Sequence, residues 1–367
     1  MLLSHICGII GRRSTKSFSA KMMGPLAEVL SSSKVLFKAD SERKPPNRDL
    51  KFSTVQMMTM LIYIQIKHLG VDDYKEMVKG RGSQVILKNL GMPTDKNGRY
   101  IAPSTGWISQ FKNHEYPEFE EALEAEFLAD VLAMTNGEHR VITIDSTPLE
   151  ASRYSSWADF NPHYKIHMGK SHLIMINGIV TCMKFTNGNA GDNPSFLEML
   201  SQMPTRRLKD TELLSDGSYD SFETYAQVFM KFGVVMGSNT GAGSVKHDEA
   251  AWDNVLRHYN KYSKDKGFIP SGKAAPDQIL RFLTSRGKSE LVGKALRNMD
   301  MSRGIRIQEL HALKRHVCET VHHAMKRWVD YTVRGLHEKY VESTVRLRTF
   351  TCSLLSVYFK RQKIAGY

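Results

Sequence analysis

The 367-residue sequence is poor in cysteine and has no long apolar run, and each lack excludes a class of protein. Its four cysteines, Cys7, Cys182, Cys318 and Cys352, are scattered and form no CxxC pair. That argues against a disulfide scaffold and fits free thiols in a reducing cytosol. The longest apolar candidate, MMTMLIYIQI at 57–66, has ten residues, about half of what a spanning helix needs. In the N-terminal MLLSHICGIIGRR the charges follow the apolar residues, the wrong order for a secretory signal. There is no internal repeat and no low-complexity tract. The expected location is the cytoplasm, without a membrane partner.

Negative charge is also in short supply. Against 51 Lys and Arg stand 38 Asp and Glu, a net +13, and the sequence pI is 9.4. The excess is uneven: 13 cations face 5 acids from Met301 onward, and 9 face 4 over residues 1–50. A basic surface of this kind suits a polyanion, first of all nucleic acid. Association with DNA in the cytoplasm is the corresponding expectation. The plainer alternative is a protein that happens to be basic.

The chain is long enough for two domains. Residues 1–138 read as a helical, DNA-binding domain and residues 139–367 as an α/β domain. SERKPPNRD (41–49) is a charged linker, after which Ser53 caps a helix that stops at Gly70. Short helices over VDDYKEMVKG and SQVILKNLGMP lead to PSTGWISQFKNH, capped by Ser104 or Thr105, and then to PEFEEALEAEFLADVLAM. The helix containing STGWISQFKN could complete a helix-turn-helix, bringing Gln110, Lys112 and Asn113 to DNA. Any small helical bundle would give the same pattern. After residue 139 come a strand, two strands joined by Asn177-Gly178, a helix opened by Ser195, the strand TELLSD, a helix closed by Gly233, and the strand VVMGSN. A polar insertion (240–305) precedes a long helix from about Gln308 to Gly335.

In HRVITIDSTPLE the β-branched run Val141–Ile144 is a buried strand that ends in a carboxylate, Asp145. The strand TELLSD also ends in one, Asp216. Carboxylates at the ends of core strands stand where sites form in α/β sheets. Two brought together repel unless a cation lies between them, and Mg2+ or Mn2+ suits that place. Either alone could be a turn or cap residue. On the last helix Leu310, Leu313, Val317, Val321, Ala324, Trp328 and Tyr331 share one side, and Arg315, Glu319, His322 and Lys326 the other. Glu319 among cations suits a metal beside a phosphate, while a solvated face would look the same. Cys318 and His322, one turn apart, could open a zinc site, but no matching ligand pair stands elsewhere. Asp192 and Asp220 are the next acids to consider.

The element order and the three acids resemble the catalytic domain of DDE transposases over roughly residues 139–360. The similarity is greatest to the insertion-sequence subgroup with a Tyr-Arg-Glu-Lys signature. Arg315, Glu319 and Lys326 match its spacing, and Ala312 stands at its Tyr position. KFTNGNAGDNPSFLEML, SDGSYDSFETY and the insertion also resemble this family. The resemblance implies a ribonuclease-H-like mixed sheet flanked by helices, with an insertion before the last catalytic helix and a helical N-terminal domain ahead of it. It implies Asp145, Asp216 and Glu319 as catalytic metal ligands, Mg2+ or Mn2+ as cofactor, in a pair of ions, and Arg315 and Lys326 on DNA phosphates. The activity would be cleavage at element ends and strand transfer into target DNA. The partner is double-stranded DNA, terminal inverted repeats and target, bound by a homodimer. A degenerate transposase that only binds DNA, a ribonuclease-H-like nuclease without strand transfer, and a basic scaffold without chemistry are the alternatives.

Overall fold

The computed structural model describes residues 23–43, 52–136, 138–151, 153–202, 211–238, 245–263, 276–302, 319, 321–323, 325–326 and 338–364. Among the described residues, those before the sheet form seven helices: α1 (Met23–Ser31), α2 (Lys34–Glu42), α3 (Thr54–Lys67), α4 (Val71–Lys79), α5 (Ser83–Asn89), α6 (Thr105–Gln110) and α7 (Tyr116–Met134). Ser53 opens α3 with a full capping box: its hydroxyl accepts from the Gln56 N–H, and the Gln56 side chain accepts from the Ser53 N–H. The helix stops earlier than the sequence suggests. His68 takes the left-handed conformation (φ 54°), and Gly70 instead caps α4, where the Asp73 carboxylate accepts its N–H.

Two helices expected to be separate are continuous. A π-helical turn, Phe111–Glu115, joins α6 to α7, with the Tyr116 N–H reaching back to the Phe111 carbonyl. Pro117 follows at once. It has no N–H for residue 113 and its ring crowds that carbonyl. A wider turn absorbs the mismatch without ending the helix.

The sheet has six strands: β1 (Arg140–Glu150), β2 (Asp159–Asn161), β3 (Ile166–Ile176), β4 (Ile179–Asn187), β5 (Thr211–Ser215) and β6 (Met236–Ser238). The order is β2-β3-β1-β5-β6, with β4 also paired to β3. β3 runs antiparallel to β1, β2 and β4, while β1, β5 and β6 are mutually parallel. The β3–β4 turn has Asn177 at φ 51° and Gly178 at φ 77°, the primed geometry that matches strand twist. Between β4 and β5 lies α8 (Asp192–Gln202), which starts three residues before the expected Ser195. Between β5 and β6 lies α9 (Phe222–Phe232), closed as expected by Gly233 at φ 70°.

The insertion contributes α10 (Val245–Ser263), α11 (Pro276–Ser285) and α12 (Ser289–Ser302). α12 packs so closely on α9 that a Cβ at Gly293 would meet the Phe222 carbonyl oxygen at 1.9 Å. Of the long helix expected over 308–335, residues 319, 321–323 and 325–326 are helical; the rest, with Arg315 and Ala312, lies outside the described residues. A last helix that the sequence reading passed over, α13 (Glu338–Ile364), follows. No helix among the described residues is long and apolar enough to cross a membrane.

Strand alternation divides the core. Ile142, Ile144, Ile174 and Ile176 face α8, α9 and the insertion helices. Leu149, Leu173 and Met175 face the other way, into one cluster with α1, α3, α13 and the helical residues Val321 and Met325. The N-terminal helices therefore share a core with the sheet.

Candidate active site

Asp145 does not stand at the tip of its strand. β1 continues to Glu150, because β3 goes on pairing along its other edge as far as Glu150↔Met168. What ends near Asp145 is its parallel neighbour. The β1–β5 ladder runs from Arg140↔Thr211 to Thr143↔Leu214. Carried two residues further, it sets Asp145 opposite Asp216, one residue past the end of β5. Adjacent strands are about 5 Å apart, so by this extension the two residues are neighbours across the strands where the parallel edge stops. By alternation both point to the face of Leu173, the β3 partner of Asp145. That face belongs to the cluster containing Val321 and Met325.

Each aspartate is oriented locally. An Asp145 oxygen accepts the Ser146 N–H at 2.9 Å. Asp216 caps the short 3-10 turn Gly217–Tyr219, accepting the Ser218 N–H at 2.9 Å and the Ser218 hydroxyl. Its own carbonyl accepts from the Ser238 hydroxyl at 2.9 Å, which ties it to the end of β6. So Asp216 serves as a cap, one of the roles open to it from sequence, and the cap also holds it still.

Tyr219, in the cluster on the Ile142 and Ile144 face, feels the charge of three acids. It is buried (1% exposed), and burial raises the pKa of its phenol; the carboxylates of Asp192, Asp145 and Asp216 raise it further, and a hydrogen bond with Ser146 opposes them. Asp192 is a further carboxylate near this end of the sheet, on the side of Lys170 and His172, which alternate onto the face of Ile174 and Ile176. Its Oδ1 meets Lys170 Nζ at 3.2 Å and His172 Nδ1 at 3.5 Å. The His172 ring is held from its other side by the Thr186 hydroxyl at 2.8 Å, and burial lowers its pKa to about 4, Asp192 opposing. The next residue, Asn193, bonds to Ser221 and Thr224, which fastens the GDNP loop to the turn after Asp216. Sequence reading treated Asp192 only as a substitute. Its signal was the spacing of Lys170 and His172 on one face of β3, legible only once that strand is known to begin at Ile166. Asp220, the other substitute, is committed to a buried ion pair with Arg297 of α12 (Nε–Oδ1 2.6 Å).

Glu319 and Lys326 are exposed on their helical segment, while Val321 and Met325 are buried. His322 is turned inward; burial, with Lys326 and His323, lowers its pKa to about 4. Arg315 and Cys318 are outside the described residues. Lys112, in the π turn, is half-buried; burial and the Arg348 guanidinium lower its pKa to about 8. Gln110 is exposed, and Asn113 bonds to Ser109 at 3.3 Å.

Among the described residues no three His, Cys, Asp or Glu side chains lie close enough together to hold an ion. The donor chemistry of the Asp145–Asp216 pair nevertheless fits a hard divalent cation: two carboxylates, oxygen only. No curated protein and no solved structure matches the chain. A family model described as the transposase DDE domain matches residues 136–330. That span runs from four residues before β1 through both aspartates to the segment of Glu319 and Lys326. The mixed sheet flanked by helices agrees with it, and with more than half its length matched, the chain belongs to the transposase DDE domain family.

Proposed function

We propose that this chain cleaves DNA at the ends of a mobile element and joins the freed ends to target DNA, with Asp145, Asp216 and Glu319 as its catalytic acids. The observation that carries the reading is the β1–β5 register, which, carried two residues past its last pair, brings Asp145 and Asp216 opposite each other at the end of the parallel strands. They point to the face against which the helical residues after Glu319 pack. The strand order, antiparallel on one side of β1 and parallel on the other, supports a ribonuclease-H-like sheet.

In this reading Asp145, Asp216 and Glu319 hold Mg2+ or Mn2+. Such ions, when bound, acidify an attacking hydroxyl and stabilise the leaving oxygen of an in-line phosphoryl displacement. The chain's own residues supply position. Ser146 and Ser218 fix the two aspartates, and the sheet holds them to the tolerance the displacement requires. Lys326 and Arg315 meet DNA phosphates, and the helices before residue 138, Lys112 among them, bear on the element ends. A homodimer on double-stranded DNA would bring two such ends together, in the subgroup marked by Arg315, Glu319 and Lys326.

The test is a terminal-repeat duplex incubated with Mn2+ or Mg2+ and a target plasmid. Asp145→Asn, Asp216→Asn and Glu319→Gln should each lose both cleavage and joining while keeping DNA affinity. Cleavage without joining by the wild type would make the chain a nuclease. Full activity in any one variant would remove that residue from the site.

A further inference from the structure

The connection from β1 to β3 carries a surface feature that the acids do not use. Among the described residues the exposed large aromatic side chains are Phe37, Tyr154 (72% exposed), Phe160 (52%) and Tyr164 (50%). Three of the four fall within eleven residues. Single exposed rings are ordinary, but a cluster on one short segment marks a contact surface.

The segment is anchored, so its rings are presented at fixed places. Trp157 is buried beneath it and meets Phe185 edge-on at 5.4 Å. At the tip Asn161 Oδ1 accepts the N–H groups of His163 and Tyr164 at 3.0 and 3.1 Å. The Asn161 amide donates to the Gly188 carbonyl at 3.2 Å, on the loop that leads to Asp192. β2 pairs with the start of β3, with Phe160 opposite His167, and the two rings meet at 5.4 Å. Arg153 lies 4.8 Å over the Tyr154 ring, and His163 packs on Tyr164 at 5.0 Å.

Charge and position name the occupant. Between Ala151 and Gly169 the cations are Arg153 and Lys165, with His163 and His167, against the single acid Asp159, while the next cation, Lys170, pairs with Asp192. Flat faces among cations suit nucleic acid, and exposed rings take unpaired bases, which offer a π face whatever their sequence. The segment lies at the catalytic end of the sheet. From Leu173, opposite Asp145, to His167, opposite Phe160, β3 covers six residues, about 20 Å. A duplex spans that distance in about six base steps.

We propose that residues 153–165 form a stacking platform on which Tyr154, Phe160 and Tyr164 hold unpaired bases of the DNA strand that passes the carboxylates. The proposal rests on the DNA-cleaving reading of the site but is tested apart from it. Binding is measured with the full-length chain in EDTA, so that no cleavage contributes. The probes are a short single strand carrying a fluorescent base analogue and a blunt duplex of the same sequence. In the wild type the single strand should quench the analogue. Tyr154→Ala, Phe160→Ala and Tyr164→Ala combined should weaken single-strand binding by about tenfold or more and blunt-duplex binding by less than about twofold. Phe160→Trp, which keeps a ring and the fold, should retain the quenching.

Equal losses on both probes, or no loss on the single strand, would overturn the platform. So would a triple variant whose only change is a smaller mass by light scattering, since the rings would then serve contact between copies of the chain. If the wild type binds duplex but not single strand, the platform fails and the cleavage reading stands. If it binds neither, both fail.

Discussion

At the end of β5, Asp145, Asp192 and Asp216 bear on one buried phenol and remain partly open to solvent. Between α7 and α13, Glu120, Glu124 and Glu342 enclose one guanidinium. Arg346 reaches Glu124 at 2.8 Å, Glu342 at 3.2 Å and Glu120 at 3.5 Å, and Ser343 donates to Glu120 at 3.2 Å. Both places hold several carboxylates. They differ in what answers the charge. At the sheet end backbone N–H groups, hydroxyls and Lys170 do so, and a ligand can reach the acids. Between the helices the answer is a single cation already in place, and burial pushes Glu120 and Glu124 up to about 7 against its pull. Under the proposed function the acids at the sheet end serve chemistry, while the more buried Glu120 and Glu124 tie α13 to α7. Acidic residues in a cluster do not by themselves say which.

The sharpest way to break this contrast is to exchange the readouts. Asp145→Asn should lower DNA cleavage by at least about 10²-fold and shift unfolding by no more than about 1 kcal/mol. Arg346→Met should do the reverse. At pH 8, where both acids are charged in the wild type, it leaves Glu120 and Glu124 buried without their cation, at a cost of about 3–5 kcal/mol. Urea unfolding and a cleavage assay on both variants decide it. A stable Arg346→Met variant would mean that the glutamates carry protons and need no partner.

The next effect is one of pH. Glu120 and Glu124 have folded pKa values of about 7, raised from 4.5. A raised carboxyl binds more protons folded than unfolded between those values, so its contribution is full below about 4.5 and is lost as pH rises to about 7. The wild type should therefore unfold at lower urea at pH 8 than at pH 5. Glu120→Gln with Glu124→Gln should flatten that slope. An unchanged slope would move its origin to other groups.

What was legible in the sequence was local. The Ser53 cap, the Asn177-Gly178 turn, the Gly233 stop and the apolar strands before Asp145 and Asp216 all depend on neighbours a few residues away, and they stand where the pattern puts them. What escaped depends on distant partners. β2 is three residues long and exists only because β3 begins early enough to pair with it. Asp192 acquires a role through Lys170, His172 and Tyr219. The position of Asp145 within β1 is set by how far β3 runs. Arg346 looks like any surface cation until α7 lies beside it. α13 was missed for another reason: ESTVRLRTFTCSLLSVY is rich in Ser, Thr and Val, residues of modest helix propensity, and hydroxyls rarely mark a buried helix.

The smallest predicted effect lies in that helix. Ser343, Thr344, Thr349, Thr351 and Ser353 are all buried, which would be costly if their hydroxyls had no acceptor. The helix itself supplies acceptors. Thr344 donates to the Tyr340 carbonyl at 2.6 Å, Thr351 to Leu347 at 2.8 Å and Ser353 to Thr349 at 3.0 Å, each four residues back. A hydroxyl bonded in this way asks nothing of the rest of the molecule. Thr351→Val keeps the shape, adds a methyl group to the core and leaves the Leu347 carbonyl its backbone hydrogen bond. No buried polar group loses its partner, and the change in unfolding free energy should stay below about 1 kcal/mol. Arg346→Met, five residues earlier on the same helix, should cost several times more. The ratio of the two separates a polar side chain answered by its own turn from one answered across the fold. If Thr351→Val costs as much as Arg346→Met, the burial of α13 depends on its hydroxyls, and the tie between α13 and α7 is not chiefly the work of Arg346.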